Sequence, residues 1–269
     1  MLKIQGYNLQ SFAIGSKHVR AFSLDNCSGI IIDYVLAECG AEKSPFPNEY
    51  YKQISSGEGA IKLHNTDDTT SYVVTRDNIV ITQKTASIEE NIKELEVILE
   101  QAKHIIPGTL AFMNNPKAKL LGMVWQFTEA QTAKRERFNH PIAQDFYRRL
   151  LKLDLQGKEH PSETNVHLAF RKMLSSSYLM RGQNDFLNII INIGDRVIND
   201  LWPGTEDIKP RTQIIEDTRV GFVTIDIQVF FDPRRKINNK TLEAHWAECH
   251  RLKNRISELL KGVGFETEE

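Results

Sequence analysis

Cysteines, long apolar runs and an excess of charge of one sign are all scarce in this chain of 269 residues. Its three cysteines, Cys27, Cys39 and Cys249, are too few and too scattered for a disulfide framework or a CxxC zinc site. An odd number of cysteines suits a reducing compartment. The apolar triplets at residues 30–32 and 189–191 are far shorter than a membrane span, and the N-terminal residues lack the apolar run of a secretory signal. We therefore expect a cytoplasmic protein with no membrane association.

The charges are nearly balanced, with 34 basic and 35 acidic residues and a formal net charge of -1. A dedicated duplex-DNA binder usually has a strong excess of basic residues. This chain has no such excess, so its overall charge does not indicate a duplex-DNA binder. Apolar residues make up 41% and charged residues 26%, as in ordinary globular domains. We predict a single α+β domain over residues 1–269, and a subdivision near residues 155–163 is the alternative.

The clearest pattern is the alternation of apolar and polar residues near the C-terminus. The odd positions of residues 223–231 are all apolar: Val223, Ile225, Ile227, Val229 and Phe231. This period of two predicts a half-buried strand. Residues 165–173 and 186–197 are also strand-like, so three strands are expected in succession. Asp77 and Asn78 tolerate a tight turn and predict a hairpin over residues 72–82.

Three amphipathic helices are predicted. Ser87 and Glu90 form a capping box at the start of the first, which Pro107 and Gly108 are expected to end. The second begins at Pro141 and ends near residue 157. The third is a long C-terminal helix whose apolar seam has spacings of three and four residues: Leu242, His245, Cys249, Leu252, Ile256, Leu259 and Val263.

The fold class that follows is α+β, a mainly antiparallel sheet packed by these three helices. A second hairpin is expected between the first two helices, with arms at residues 109–113 and 120–128. Residues 30–36 fit a short helix and a strand equally well. We expect the C-terminal helix to pack across the preceding sheet, and a helix that pairs with a partner chain is the alternative.

His245 and Cys249 lie four residues apart, a spacing that suits two metal ligands on one helix face. Both lie on the apolar seam, and no second pair of metal-like residues occurs elsewhere. Core packing is the favoured interpretation, since a buried free cysteine commonly behaves as a small hydrophobe. We predict no metal and no cofactor.

The polar positions of the three C-terminal strands are the candidate ligand-binding residues: His167, Arg171, Asn188, Asn192, Asp226 and Gln228. Thr224 lies among them. Such groups could line a polar cleft in which Asp226 and His167 form an acid-base pair. The simpler interpretation is an antiparallel sheet with one face in solvent, which shows the same alternation.

Two basic clusters are candidates for contact with nucleic acid: Lys134, Arg135 and Arg137, and Arg234, Arg235 and Lys236. Both fall in predicted turns, where solvated charge is the usual state. The chain has no GxSxG, HExxH, Walker or kinase motif, so we assign no catalytic residue.

Three stretches carry a resemblance to a known family: LGMVWQF at residues 121–127, FVTIDIQVFF at 222–231 and LEAHWAECHRLKNRISELL at 242–260. Over residues 110–265 the chain resembles a sporadically distributed family of uncharacterised bacterial proteins. That family tends to carry Arg-Tyr-Ile-Asn in its central strand, where this chain has Val124, Trp125, Gln126 and Phe127. The resemblance implies an α+β fold and a mobile-element or defence context, and it brings no catalytic residues.

We therefore expect a non-enzymatic binding or interaction protein whose partner is another protein or a second copy of the chain. The first alternative is an enzyme or small-ligand binder that uses the polar strand face around Asp226. The second alternative is nucleic-acid binding through the two basic clusters, which the balanced net charge disfavours.

Overall fold

A large antiparallel sheet with helices on one side is the framework of the molecule. The computed structural model describes residues 2–38, 51–57, 59–65, 69–84, 91–131, 133–135, 142, 145–146, 149, 166–173, 184–197 and 217–268. The strands are β1 (Lys3–Ile4), β2 (Tyr7–His18), β3 (Tyr51–Gly57), β4 (Ala60–Asn65), β5 (Thr70–Thr75), β6 (Asn78–Lys84), β7 (Ala118–Glu129), β8 (Ala133–Arg135), β9 (Val166–Met173), β10 (Phe186–Val197), β11 (Asp217–Arg235) and β12 (Thr267–Glu268). The helices are α1 (Leu24–Asp33), which continues into a π-helical turn (Tyr34–Glu38), α2 (Asn91–Phe112), α3 (Asn239–Arg251) and α4 (Lys253–Val263).

Ten strands pair in the order β3-β4-β5-β6-β2-β7-β11-β10-β9, and β8 pairs with the start of β11. Every pairing in this sheet is antiparallel. The short strands β1 and β12 form a separate antiparallel pair near the two ends of the chain. The α+β class and the three successive C-terminal strands are confirmed, and so is the hairpin formed by β5 and β6.

Side-chain burial divides the sheet into two unlike faces. Along β11, Val223, Ile225, Ile227 and Val229 are at most 2% exposed, whereas the residues between them are half-buried. Because neighbouring antiparallel strands keep side chains on the same side, the same division crosses β10, β7, β2 and β6. We call the buried side the helix-covered face and the other side, which includes Thr224, the open face.

The helices cover the first of these faces through direct contacts. On α3, His245 Nε2 donates to the carbonyl oxygen of Ile227 at 3.1 Å, and Cys249 Sγ lies 3.7 Å from Met123 Sδ. On α2, the Thr109 hydroxyl is hydrogen-bonded to the phenol of Tyr72. The prediction that the C-terminal seam packs across the sheet is therefore confirmed. The seam is not a free surface for a partner chain.

Helix α2 does not end at Pro107 and Gly108 but continues to Phe112, so the predicted stop is wrong. Proline removes a helical hydrogen bond, but tertiary packing on both sides of it compensates. Tyr34 Oη donates to the carbonyl oxygen of His104 at 3.0 Å. A Cβ at Gly108 would lie 2.3 Å from that same phenol oxygen, so the glycine admits the ring of Tyr34.

The predicted hairpin arm at residues 109–113 is also wrong, because most of it is the last turn of α2. After Phe112 the chain turns through Asn114 and Asn115, which have positive φ angles of 64° and 51°. Asn115 donates its backbone N–H to the carbonyl oxygen of Leu110, which closes the helix end. The other predicted arm is confirmed as part of β7.

The long C-terminal helix is two helices, α3 and α4, that meet at Leu252. The break leaves most of the seam in place, since Ile256 and Val263 are buried as predicted. One position differs: Leu260 is fully buried, whereas the predicted seam residue Leu259 is half-buried. The described ranges contain α1 to α4 and, in addition, helical residues at 142, 145, 146 and 149, where the sequence predicts three helices in all. Residues 30–33 are helical as part of α1, and residues 34–36 belong to the π-helical turn. None of the helices in the described part of the chain is long and apolar enough to span a membrane.

Several expectations fall on residues outside the described ranges. They are the capping box at Ser87, the boundary near residues 155–163, Cys39 and Arg137. Of the predicted second helix, Ile142 and Phe146 are described; both are helical and pack against the core.

Candidate functional site

One row of polar residues crosses the open face from strand to strand. His167 on β9 aligns with Asn192 on β10, which aligns with Thr224 on β11. The row continues through Gln126 on β7 to Ser11 on β2. The pairs at the two ends of the row are hydrogen-bonded: His167 Nδ1 lies 2.5 Å from Asn192 Oδ1, and Ser11 Oγ donates to Gln126 Oε1 at 3.4 Å. The open face therefore carries an ordered ladder of polar groups.

A second row lies four residues away from the first on each strand. Arg171 aligns with Asn188, which aligns with Gln228. Arg171 Nε donates to Asn188 Oδ1 at 3.2 Å, and its guanidinium carbon lies 4.3 Å from the centroid of the Phe186 ring. The Phe186 ring in turn stacks on Phe230 at 4.7 Å between centroids. The exposed guanidinium is thus held in place by an amide on one strand and an aromatic ring beside it.

Asp226 lies between the two rows and holds a partly buried carboxylate. Gln228 Nε2 donates to its Oδ2 at 2.5 Å. Its Oδ1 is shielded from solvent and has no hydrogen-bond partner within the described part of the molecule. Burial raises the pKa of this carboxyl, and the hydrogen bond from Gln228 offsets only part of that rise. Gly122 lies beside the carboxylate, and a Cβ there would be in ordinary van der Waals contact with Oδ1 at 3.7 Å.

The predicted acid-base pair of Asp226 and His167 is not formed. Asp226 is aligned with Ile190 on β10, whereas His167 is aligned with Asn192, so the two side chains lie in different rows. They are also two strands apart, about 10 Å across the sheet. Each is hydrogen-bonded to a different amide, Gln228 and Asn192 respectively. The predicted ligand-binding residues therefore share one face, but these two do not converge.

The second basic cluster lies at the end of β11 and just after it, so the expected turn is wrong for Arg234 and Arg235. Arg235 forms a buried ion pair with Asp185, whose other oxygen accepts the backbone N–H of Asp232 at 2.9 Å. Arg235 also lies 4.8 Å above the Phe231 ring. The Arg235 side chain is therefore held by Asp185 and Phe231 and is largely buried, whereas Arg234 and Lys236 are exposed.

Two residues of the first basic cluster, Lys134 and Arg135, lie in a strand rather than in the predicted turn. Lys134 and Arg135 belong to β8, where they pair with Thr218 and Asp217 of β11. The pairing places them beyond the end of the contact between β7 and β11, away from the rows of the open face. The ion pair between Asp185 and Arg235 and the pairing of β8 with β11 both join residues far apart in sequence. The local sequence therefore contains no signal for either of them.

The residues on the helix seam, His245 and Cys249, are core residues at 1% and 6% exposure. Burial lowers the pKa of His245 to about 4 and raises that of Cys249. His245 is therefore neutral over the physiological range. Among the described residues, no group of three or more His, Cys, Asp or Glu side chains could hold a metal ion.

Sequence reasoning missed the part of the open face that comes from β2 and β7. Ser11 and Gln126 extend the polar row, and Gly15 aligns with Gly122 beside Asp226. Gln126 and Thr128 alternate with apolar neighbours, and this alternation indicates that both lie on the polar face of a strand. Strand β2 lies far away in sequence, and only the pairing of β2 with β7 brings it to the site.

The fold and this face define an α+β protein with helices packed on one face of an antiparallel sheet and polar groups arranged on the other. No protein-family model matches the chain, and no curated protein matches it in sequence. The resemblance to a sporadically distributed bacterial family therefore stays a prediction that rests on the three stretches quoted above.

Proposed function

We propose that this is a non-enzymatic binding protein whose binding surface is the open face of the sheet. The observation that supports the proposal is the continuous polar row His167, Asn192, Thr224, Gln126 and Ser11, which crosses five neighbouring strands. A solvated face needs no such order, whereas a binding surface requires donors and acceptors at fixed positions. A rigid sheet with helices behind it holds these groups in place more accurately than loops would.

Asp226 adds a second argument for the same surface. A carboxylate whose Oδ1 lacks a hydrogen bond costs stability, and local departures of this kind concentrate at functional positions. Its raised pKa also supports the second candidate, a small-ligand or catalytic site around Asp226. The separation of His167 from Asp226 favours binding over acid-base catalysis.

The experiment compares two pairs of Asn-to-Leu substitutions. Asn188→Leu with Asn192→Leu removes two amides from the open face. Asn26→Leu with Asn254→Leu makes the same chemical change at exposed positions of α1 and α4. The immobilised proteins are incubated with an extract of cells that produce the chain, and retained protein and nucleic acid are quantified by mass spectrometry and absorbance.

We expect the wild type and the helix-side pair to retain the same ligand. We expect the open-face pair to retain about tenfold less, because two hydrogen bonds of about 0.7 kcal/mol each are lost. Equal retention by all three proteins, or none by any of them, would overturn the proposal. Thermal unfolding of each variant confirms that it is folded.

A further inference from the structure

Charge on the open face is distributed differently from charge on the chain as a whole. The chain has a formal net charge of -1. Among the described open-face residues, four basic side chains, Lys17, Lys62, Lys84 and Arg171, are exposed, and two side chains are acidic: the partly buried Asp226 and the exposed Asp232 near the end of β11. Four minus two leaves a local excess of +2 on this face, although the chain as a whole is slightly acidic. Electrostatic attraction of a polyanion depends on such a local patch.

The cations are spread along the whole face. Arg171 lies on the outer strand β9, Lys17 lies on β2 in the middle, and Lys62 lies on β4 towards the other edge. From β9 to β4 the sheet covers seven strand spacings, about 34 Å. A compact anion could contact one of these cations at a time, whereas an extended polyanion could contact several.

Between the cations lie groups that both donate and accept hydrogen bonds. The amides of Asn188, Asn192, Gln126 and Gln228 are all half-buried on this face. Amide side chains recognise the edges of nucleic-acid bases because their donor and acceptor match those edges in pairs. Unpaired bases present these edges to a sheet surface, whereas a duplex keeps them in its grooves.

We propose that the open face binds single-stranded nucleic acid, an inference that rests on the proposed function and names its ligand class. The phosphates contact the line of cations, and the bases contact the polar rows between them. The guanidinium of Arg171 is preorganised to contact a phosphate, because Asn188 and the Phe186 ring hold it in place.

The test is fluorescence anisotropy with a labelled oligonucleotide of about 20 nucleotides, as RNA, as DNA and as a duplex of the same sequence, over a range of salt concentrations. The test variant is Arg171→Gln with Lys17→Gln. The matched control is Lys240→Gln with Lys261→Gln, which removes the same charge from exposed positions of α3 and α4. Thermal unfolding confirms the folding of both.

We expect the wild type to bind a single strand more tightly than the duplex. For single strands, each phosphate contact contributes about 0.7 to the slope of log affinity against log salt concentration. The slope should therefore fall by about 1.4 in the test variant and stay unchanged in the control. Absence of binding at low salt, tighter binding of the duplex, or an equal change of slope in both variants would overturn the inference.

A nuclease arm separates this inference from the proposed function. If the ligand captured from cell extract depends on the open face and disappears after nuclease treatment, both are supported. If the capture depends on the open face but survives nuclease treatment, the ligand is a protein or another molecule, and only the nucleic-acid inference is overturned. If the capture does not depend on the open face, both are overturned.

Discussion

Asp226 holds a carboxylate where burial disfavours its charge. Its pKa is raised in the folded state, so the folded protein binds this proton more tightly than the unfolded chain does. The contribution to stability is therefore complete below the unfolded pKa of 3.8 and is lost as the pH rises through the raised folded pKa. At neutral pH the charged group is a cost that an uncharged amide would avoid.

We predict that Asp226→Asn raises the free energy of unfolding by about 1 kcal/mol at pH 7. The difference should vanish at pH 3, where the carboxyl is protonated in both states. Urea denaturation at the two pH values measures it. Asp33→Asn, at an exposed position of α1, is the matched control and should change stability by less than about 0.5 kcal/mol. If Asp226→Asn lowered the free energy of unfolding at pH 7, the view that the charged Asp226 destabilises the fold would be wrong.

His245 has the opposite dependence on pH. Burial lowers its pKa from 6.5 to about 4 in the folded state. Its contribution to stability is present above pH 6.5 and is lost as the pH falls towards 4. We predict that the free energy of unfolding falls by about 2 kcal/mol between pH 7 and pH 5 from this residue.

The control for His245 is His245→Gln, whose amide can still donate to the carbonyl oxygen of Ile227. The variant should lose this part of the pH dependence, whatever its stability at pH 7. An unchanged difference between pH 7 and pH 5, measured by urea denaturation, would show that other groups cause it.

Arg235 is ion-paired with the buried Asp185, whereas its neighbour Arg234 is exposed. Removal of one partner leaves a charge buried without compensation. We predict that Arg235→Leu lowers the free energy of unfolding by about 3 kcal/mol or more. Arg234→Leu, one residue away and exposed, should change it by less than about 0.5 kcal/mol. Similar losses in both variants would contradict the structural role of Arg235.

At the scale of the element, α2 depends on the contact between Tyr34 and Gly108. An alanine is the better helix former by about 1 kcal/mol, yet its Cβ would lie 2.3 Å from Tyr34 Oη. We predict that Gly108→Ala destabilises the protein and that Tyr34→Ala removes most of that effect in the double variant. Urea denaturation of the four proteins gives the coupling, and additive effects would contradict the contact.

The elements show what the sequence could and could not predict. The strands β9, β10 and β11 and the hairpin of β5 and β6 have local alternation or turn residues, and these predictions are confirmed. The stop at Pro107 and the single C-terminal helix are wrong. Packing of Tyr34 on α2 overrides the signal of the proline, and no proline or glycine marks the break at Leu252 in the sequence. The sequence predicted the polar residues that β9, β10 and β11 contribute to the candidate site. It could not predict the contribution of Ser11 and Gln126, because their place beside the site depends on the order of the strands in the sheet.

At the scale of the whole molecule, helices α1 to α4 of the described ranges bury one face of the sheet or pack beside it, and the other face keeps its polar groups at a half-exposed surface. Burial of the helix-covered face stabilises the fold by about 25 cal/mol for each Å² of apolar area. The open face also carries apolar side chains, among them the half-buried Phe222 and Phe230, so substitutions on it can affect stability. The paired Asn-to-Leu variants are therefore compared only after thermal unfolding has shown that each is folded.

The central claim, that the open face is the binding surface, is tested most directly by hydroxyl-radical footprinting of the free protein and of the protein with its captured ligand. Phe186, Phe222 and Phe230 lie on the open face and are half-buried, and Phe22, which is 62% exposed, lies just before α1. The account predicts that the ligand lowers oxidation of the three open-face phenylalanines and leaves Phe22 unchanged. Protection of Phe22, with the other three unchanged, would contradict it.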